Sequence, residues 1–494
     1  MNPTGILNPP TGTIPLERID AYRWRIPQHA QPGMLVPGLV FADEALLEEI
    51  KEERALQQVV NVATLPGIVG ASLGMPDIHW GYGFPVGGVA ATDSECGVVT
   101  PGGIGFDINC GVRLLATDLL HAQIWGERLG DLANALFARL PSGVGGAGIR
   151  AVSQEELRAI MVRGAAWAVE QGYGFPEDLE VTEEHGCLAG ADPEAVSEAA
   201  MQRGCKQPGS IGAGNHFCEV DFVDQIYDPV TAAAFHLQRV GQIVVLIHTG
   251  SRGFGHQIAQ DYIRLAEAKQ QDYGFHLVDR QLACLPLQSS EGKAYLAAMA
   301  CGANFAWANR QILLHGVREA FATVLKRPIS SQHMRLVYDV CHNIAKMETY
   351  EIEGVSQQVC VHRKGATRAF PAHHPALPDV YQTVGQPVLI PGDMGRYSFV
   401  LVGAPGSLTW SFGSCCHGAG RRLSRTVAKK TISGRQLLDH LVAQDILVRV
   451  HSHALLAEEA PLAYKDAQRV VNVVHEAGLA RLVARLRPVI VVKG

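Results

Sequence analysis

Four short segments set metal-ligating side chains beside glycine or asparagine at the ends of apolar runs. They are Asp107 and Cys110 in GFDINCG (105–111), His216 in GAGNHFCE (212–219), His248 in IHTGSRG (247–253) and His342 in YDVCHN (338–343). Asp107 and Cys110 are three residues apart among small neighbours, so both side chains can turn to one point. Strand ends and adjoining loops are where rigid elements deliver ligands into a cleft. One Asp, one Cys and three His suffice for a two-cation site, because a thiolate can bridge two ions. Such nitrogen and sulfur donors hold zinc more tightly than manganese. One histidine of this kind is more often a core or surface residue than a ligand. Four such segments in one chain give the cation reading its weight.

A fifth stretch, SFGSCCHGAGRR (411–422), holds a single imidazole, His417, between small residues. Ser414, Gly418 and Gly420 point to a tight backbone with spare N–H groups. Arg421, Arg422 and Arg425 read as the first turns of a helix over 420–430. Backbone donors at a helix N-terminus form an anion site. A histidine there is a phosphate ligand or a nucleophile facing a phosphate; the plain alternative is a capped turn with a structural histidine. PGDMG (391–395) is a second phosphate-binding candidate. Neither is a Walker loop, and no GxGxxG stands between a strand and a helix, which argues against an ordinary kinase, ATPase or dehydrogenase. The basic runs Arg363, Lys364, Arg368 and Arg421, Arg422, Arg425, Lys429, Lys430 suit either a phosphate-rich substrate or a solvated helix face.

The elements that must position these residues follow from the apolar spacing. Helices are expected over 41–64 (with Asp43 as N-cap), 124–140, 154–171, 192–203, 254–271, 293–325, 420–430 and 434–442. Strands are expected over 112–119, 217–223, 242–247, 335–340, 357–361, 387–390, 399–402 and 487–493. Between 66 and 112 glycines crowd among Ile78, Trp80, Phe84, Val86, Ile104 and Phe106. That mixture predicts buried, tightly turned chain between short strands. The apolar stretch 294–314 is interrupted by Asn304, Asn309 and Arg310, so it reads as a buried helix and not a membrane span.

The 494 residues, 47% hydrophobic and 18% charged, describe a globular chain with a large core. Residues 1–33 read as an irregular lead-in, and no linker divides the remainder. The expectation is one large α+β domain over 34–494, with mixed and antiparallel sheets around a deep cleft and a variable insertion near 120–205. Eleven cysteines without a CxxC pair, and an opening segment without the marks of a secretory signal, point to a reducing cytoplasm. A formal net charge of −6 argues against a wholesale basic coat for nucleic acid but leaves room for a local basic groove.

Taken together the segments resemble the RtcB-type tRNA-splicing RNA ligases. The matching motifs are MPDIHWGYGFP (75–85), GFDINC (105–110), GNHF (214–217), HTGSRG (248–253), CHN (341–343), PGDMG (391–395), SFGS (411–414), CHGAG (416–420), PLAYKD (461–466) and the final KG (493–494). Cys415 stands where the family more often carries Thr or Ser, and Asp393 where Ser is also common. The resemblance implies a GTP-dependent ligase that joins a 2′,3′-cyclic phosphate or 3′-phosphate RNA end to a 5′-hydroxyl, in tRNA splicing or RNA repair. It implies two Mn²⁺ ions held by Asp107, Cys110, His216, His248 and His342, with His417 becoming guanylylated. Nucleotide contacts would fall to Asn215, Glu219, Asn343, Pro391, Gly392, Asp393, Met394, Ser398, Gly418, Ala419, Gly420, Tyr464 and Lys493. Asp77, Arg252 and Arg425 would lie near the reacting ends, and an archease-type activating protein is a further partner it raises. The competing readings are a metal-dependent cyclic phosphodiesterase that uses the same ligands without ligation, and a non-catalytic RNA-binding module.

Overall fold

The segment QIVVLIHT is apolar on both faces of an extended chain, which suits only a strand covered on both sides. As Gln242–Thr249 it is buried at every position. The computed structural model describes residues 14–143, 145–328, 330 and 333–494. In it this strand lies within an eight-stranded sheet. The order is Met334–Cys341, Gly111–Leu120, Gln242–Thr249, Phe217–Ile226, Ala480–Lys493, Ser398–Gly403 and Pro387–Ile390, with Leu447–Val450 running parallel beside Ala480–Lys493. A second sheet of seven strands runs Glu17–Arg18, Arg23–Ile26, Gly38–Phe41, Ile68–His79, Val86–Asp93, Val355–Lys364 and Asn343–Ile352. Mixed sheets with flanking helices make this the α+β architecture expected.

The register of the larger sheet matters most for function. His248 lies opposite Val112 and Phe217, Cys341 opposite Gly111, and Lys493 opposite Phe217. Cys110, His216 and His342 each stand one residue beyond a strand terminus. Five strands of one sheet therefore open at a common end. The smaller sheet brings Asp77 on Ile68–His79 and Lys364 at the end of Val355–Lys364. A two-stranded ribbon, Ala366–Arg368 with Ser414–Cys416, carries the chain into His417.

Several sequence expectations change at their edges. The helix expected over 41–64 is two, Glu44–Glu52 and Ala55–Val62; Asp43 caps the first, its Oδ1 accepting from the Leu46 N–H at 2.7 Å. Gly126 (φ +82°) and Gly164 (φ +53°) break the helices expected over 124–140 and 154–171, because a left-handed residue cannot continue an α-helix. The 192–203 stretch is a short turn of 3₁₀ helix followed by Glu198–Gly204. The chain between 66 and 99 forms longer strands than expected, and Asn343–Ile352 is a strand that the sequence pattern did not reveal. The lead-in is not irregular throughout. Residues 1–13 lie outside the described residues, but Arg23–Ile26 pairs with Gly38–Phe41 and Trp24 Nε1 donates to the Ala42 carbonyl at 2.9 Å. The 120–205 segment forms a wall of the core: Glu127–Arg139, Gln154–Arg163 and Ala165–Glu170 all pack on the helix Ser290–Leu325. Among the described residues no helix is long and apolar enough to cross a membrane.

That long helix holds the stretch expected to be buried, and its polar interruptions have partners. Arg310 is fully buried. Its Nε and Nη2 donate to the two oxygens of Asp339 at 2.8 and 2.9 Å. Its Nη1 donates to the carbonyls of Asn109 and Thr249 at 2.8 and 2.9 Å. Arg113 Nε reaches Asp339 as well, at 2.7 Å, and Trp307 Nε1 at 3.2 Å. Removing the acid would strand two buried guanidinium groups, and breaking a buried pair on one side costs about 3–5 kcal/mol. Asp339→Ala is therefore expected to lower unfolding free energy by about that amount, read by denaturant titration; a loss under about 1 kcal/mol would contradict this assignment.

Candidate active site

The strand ends converge as the register requires. Cys110 Sγ lies 3.3 Å from His216 Nε2 and 3.3 Å from His248 Nε2. His248 Nε2 is 3.3 Å from His342 Nε2, and Asp107 Oδ2 is 2.8 Å from His216 Nε2. Two donor sets result, Asp107–Cys110–His216 and Cys110–His248–His342, each with ligand atoms within 4.8 Å of one another. Cys110 belongs to both. Gly250 is what lets Asp107 in: a Cβ there would fall 2.5 Å from the carboxylate.

This donor set fits a pair of cations. Burial, with the Asp107 carboxylate next in effect, pushes the Cys110 thiol well up, outweighing Arg310 and Arg252, which favour the thiolate. Burial holds His248 and His342 well below the usual imidazole range, which keeps both rings neutral. Their Nδ1 atoms are buried without a hydrogen-bond partner among the described residues, while both Nε2 atoms turn to the shared point. Burial acts to raise the Asp107 carboxyl, yet His216 and Arg252 outweigh it and keep the acid well below its ordinary value. A divalent ion would offset the crowding of thiolate, carboxylate and lone pairs.

His417 faces the same cleft. Its ring centroid is 4.8 Å from that of His342. Asp77, fully buried, accepts from His417 Nδ1 at 2.6 Å and from the backbone N–H groups of His417 and Gly418 at 3.0 and 3.2 Å. A carboxylate on Nδ1 fixes the tautomer and leaves the Nε2 lone pair as the reactive one. Room for this depends on Gly420, whose φ is +75° and where a Cβ would stand 2.2 Å from the Asp77 carbonyl. Two expectations change here. The N–H groups of 417 and 418 are not spare, because Asp77 takes them. His417 also does not precede a helix directly: the helix is Arg425–Thr431, capped by Ser424, and Arg421 instead bridges to Tyr464.

The cleft has a volume of about 470 Å³. Its lining includes Asp107, Cys110, His248, His342 and His417 together with Asn215, Glu219, Asn343, Pro391, Gly392, Asp393, Met394, Gly418, Ala419, Gly420, Arg425, Tyr464 and Lys493. Lys493 is buried against the Phe217 ring, its Nζ 5.7 Å from the centroid, and burial lowers the ammonium. Glu219 is its neighbour on the adjoining strand, raised well up by burial and by Asp221. Asn343 is already engaged, donating to the Asp107 carbonyl at 3.1 Å and accepting from Gly365 N–H at 2.9 Å. Asp393 turns its carboxylate to Arg396 and to the Gly395 N–H.

Four expected site residues stand behind the lining. His216 is reached through Asp107 and Cys110. Ser398 Oγ accepts from Gly392 N–H at 3.1 Å and so shapes the 391–395 loop. Asp77 and Arg252, expected near the reacting ends, are supports: Asp77 for His417, and Arg252, whose Nη1 lies 3.1 Å from His216 Nδ1 over Gly212. Cys415 is buried in the apolar core, 3.9 Å from Cys416, and does not line the cleft.

The first basic run is corrected. Arg363 is buried on Glu348 and Ser414, and Arg368 is buried on Glu183 and Glu184; neither is a substrate surface. Only Lys364 reaches the cleft. Its Nζ donates to the carbonyls of Tyr82 and Phe84, both at 2.9 Å, and burial lowers it to about 7. Sequence reasoning missed Glu459, which collects Arg421 (3.1 Å), Arg425 (3.3 Å) and the Tyr464 hydroxyl. An acid in an acidic pair, EE at 458–459, carries no signal of its own; the PLAYKD motif just after it was the nearest clue.

Since Cys110 serves both donor sets, Cys110→Ala is expected to reduce divalent-cation uptake at both positions, whereas His342→Ala weakens one. Equilibrium dialysis against Mn²⁺ distinguishes these; unchanged stoichiometry in Cys110→Ala would rule out the shared ligand.

The family model described as tRNA-splicing ligase RtcB matches residues 58–494. The chain is 53% identical over 481 residues to the tRNA-splicing ligase RtcB of Thermococcus kodakarensis, covering 97% of this chain and 99% of that protein. It is 50% identical over 479 residues to the protein of the same name from Archaeoglobus fulgidus, covering 97% and 99%. Against the RNA-splicing ligase RtcB of Mycobacterium bovis it is 52% identical over 439 residues, covering 88% of this chain and all of that one, 100%. With the family model matched over most of its length and half its residues shared with several full-length members, the chain belongs to the RtcB family.

Proposed function

We propose that the protein is a GTP- and manganese-dependent RNA ligase, its ligase unit spanning 34–494. Its substrates are an RNA 3′-phosphate or 2′,3′-cyclic phosphate end and a 5′-hydroxyl end, as in tRNA splicing or RNA repair. The observation that carries this reading is His417: a cleft-facing imidazole whose Nδ1 is held by a buried carboxylate, beside two cation-type donor sets. A hydrolase using those donors has no need of such a histidine.

The residues divide the work. His417 Nε2 attacks the α-phosphorus of GTP; the P–N bond forms and pyrophosphate leaves. Asp77 keeps the proton on Nδ1 and offsets the positive charge that develops on the ring. An oxygen of the RNA 3′-phosphate then attacks the same phosphorus, His417 departs, and the RNA end carries a pyrophosphate-linked guanosine. A cyclic phosphate is first opened by water. Last, the 5′-hydroxyl oxygen attacks the 3′-phosphate, the phosphodiester forms and GMP leaves. Asp107, Cys110, His216, His248 and His342 would hold the Mn²⁺ ions, which supply Lewis-acid polarisation of phosphoryl oxygens. Lys493, Glu219 and Tyr464 line the end suited to guanine, and Asn215, Arg425 and the 391–395 loop the part suited to phosphates and ribose. An archease-type activator and a cytoplasmic setting complete the proposal.

Incubation with Mn²⁺ and α-labelled GTP tests it. Wild type is expected to take acid-labile, alkali-stable label, and His417→Ala none. Asp77→Asn should label roughly 10²- to 10⁴-fold more slowly while still binding a fluorescent guanine nucleotide. Absence of label on the wild type under any divalent metal would sink the ligase reading.

A further inference from the structure

The wall of the cleft beside Asp107 is aromatic. Tyr82 and Phe106 both line it, neither ring is fully buried, and they meet edge to face at 5.5 Å and 66°. His256, exposed on the helix Arg252–Lys269, stacks on Phe106 at 5.0 Å and 26°. Rings that only filled the core would be covered. Tyr82 and Phe106 present surface to the cleft, and His256 extends the stack to the exposed helix.

We propose that Tyr82, Phe106 and His256 form a shelf on which the terminal base of the phosphate-bearing RNA strand stacks. This rests on the ligase reading above and names a subsite for its RNA. Phe106 immediately precedes Asp107, so the shelf adjoins the first donor set. A terminal phosphate is the anionic group that a cation centre draws in, whereas the 5′-hydroxyl is neutral. The base on that phosphate's own sugar then falls on the nearest aromatic surface. Unpaired bases are taken up on such faces, with little dependence on sequence.

The shelf is held ready. Lys364 Nζ fixes the Tyr82 carbonyl at 2.9 Å, Gln281 Oε1 accepts from the Gly83 N–H at 2.8 Å, and Gln58 Oε1 from the Gly81 N–H at 2.9 Å. Gly83 has φ +63°, and a Cβ there would stand 2.4 Å from the Gln281 carbonyl oxygen. The Tyr82 hydroxyl lies 3.4 Å from Glu267, itself paired with Arg280 at 2.7 Å. An acid beside the ring disfavours a phosphate there and leaves a base as the better occupant. Guanine of GTP has its own end of the cleft, with Lys493, Glu219 and Tyr464.

The test uses the full chain with Mn²⁺ and an RNA oligonucleotide ending in a 3′-phosphate, with 2-aminopurine as its 3′-terminal base. Binding to wild type should quench the fluorescence by stacking. Tyr82→Leu and Phe106→Leu should each lose most of the quench and bind the RNA roughly 5- to 150-fold more weakly. Phe106→Tyr should retain both, which separates stacking from a folding defect; circular dichroism checks the leucine variants. Unchanged quench in both leucine variants overturns the proposal. So does a quench that arises only when the probe is the 5′-terminal base of a 5′-hydroxyl strand. If wild type takes no label from GTP yet the quench behaves as stated, the ligase reading falls and the shelf stands; label without quench removes the shelf alone.

Discussion

A buried ion pair under the cleft organises the rest. Arg310 reaches from the long helix to Asp339, and with its remaining donors grips the carbonyls of Asn109 and Thr249. Those carbonyls belong to the residues beside Cys110 and His248. One guanidinium thus ties together three strands whose ends carry ligands. Such a group is expensive to bury unless every donor is met. Here Asp339 serves Arg113 and Trp307 as well. Any slip in register at Gly111–Leu120 or Gln242–Thr249 would leave a buried charge short of partners. The same network that stabilises the sheet therefore fixes where the thiol and imidazoles meet.

The second constraint joins the two sheets. His417 arrives on the ribbon from one direction and Asp77 on a strand of the smaller sheet from another. Three hydrogen bonds to one carboxylate oxygen lock the histidine's backbone and ring at once. The imidazole is consequently presented to the cleft without freedom to turn, so little orientation remains to be gained when a nucleotide binds. The cation-type ligands gather at one end of the larger sheet, the histidine comes from the ribbon, and its acid from the smaller sheet. The cleft is the seam between them.

The candidate ligand residues were legible because each lies in a short segment of distinctive composition at the end of an apolar run. Cys110, His216, His248 and His342 could be picked out from types and spacing, and the buried helix around Arg310 from its long apolar run broken by a few polar residues. What spacing could not show is who meets whom across the chain. Asp77 and His417 are separated by 340 positions, and nothing local marks the acid as the histidine's partner. Arg363 and Arg368 read as substrate-facing or solvated because their acids, Glu348, Glu183 and Glu184, lie on other elements. Helix breaks at Gly126 and Gly164 were hidden because a single glycine inside an apolar period is compatible with helix until a neighbour demands the left-handed turn. The packing of the 120–205 segment was not legible because its partner, the long helix Ser290–Leu325, lies far along the chain.

Beside His417 the cleft holds Lys364, a second candidate nucleophile for a nucleotide's phosphorus, whose ammonium burial lowers to about 7. Lys364 spends its protons on two backbone carbonyls, whereas His417 has a carboxylate behind it and an open nitrogen in front. Tandem mass spectrometry of the protein after exposure to GTP and Mn²⁺ separates them by locating the adduct. The guanylyl group should lie on His417. Its appearance on Lys364 with His417 unmodified would contradict the account.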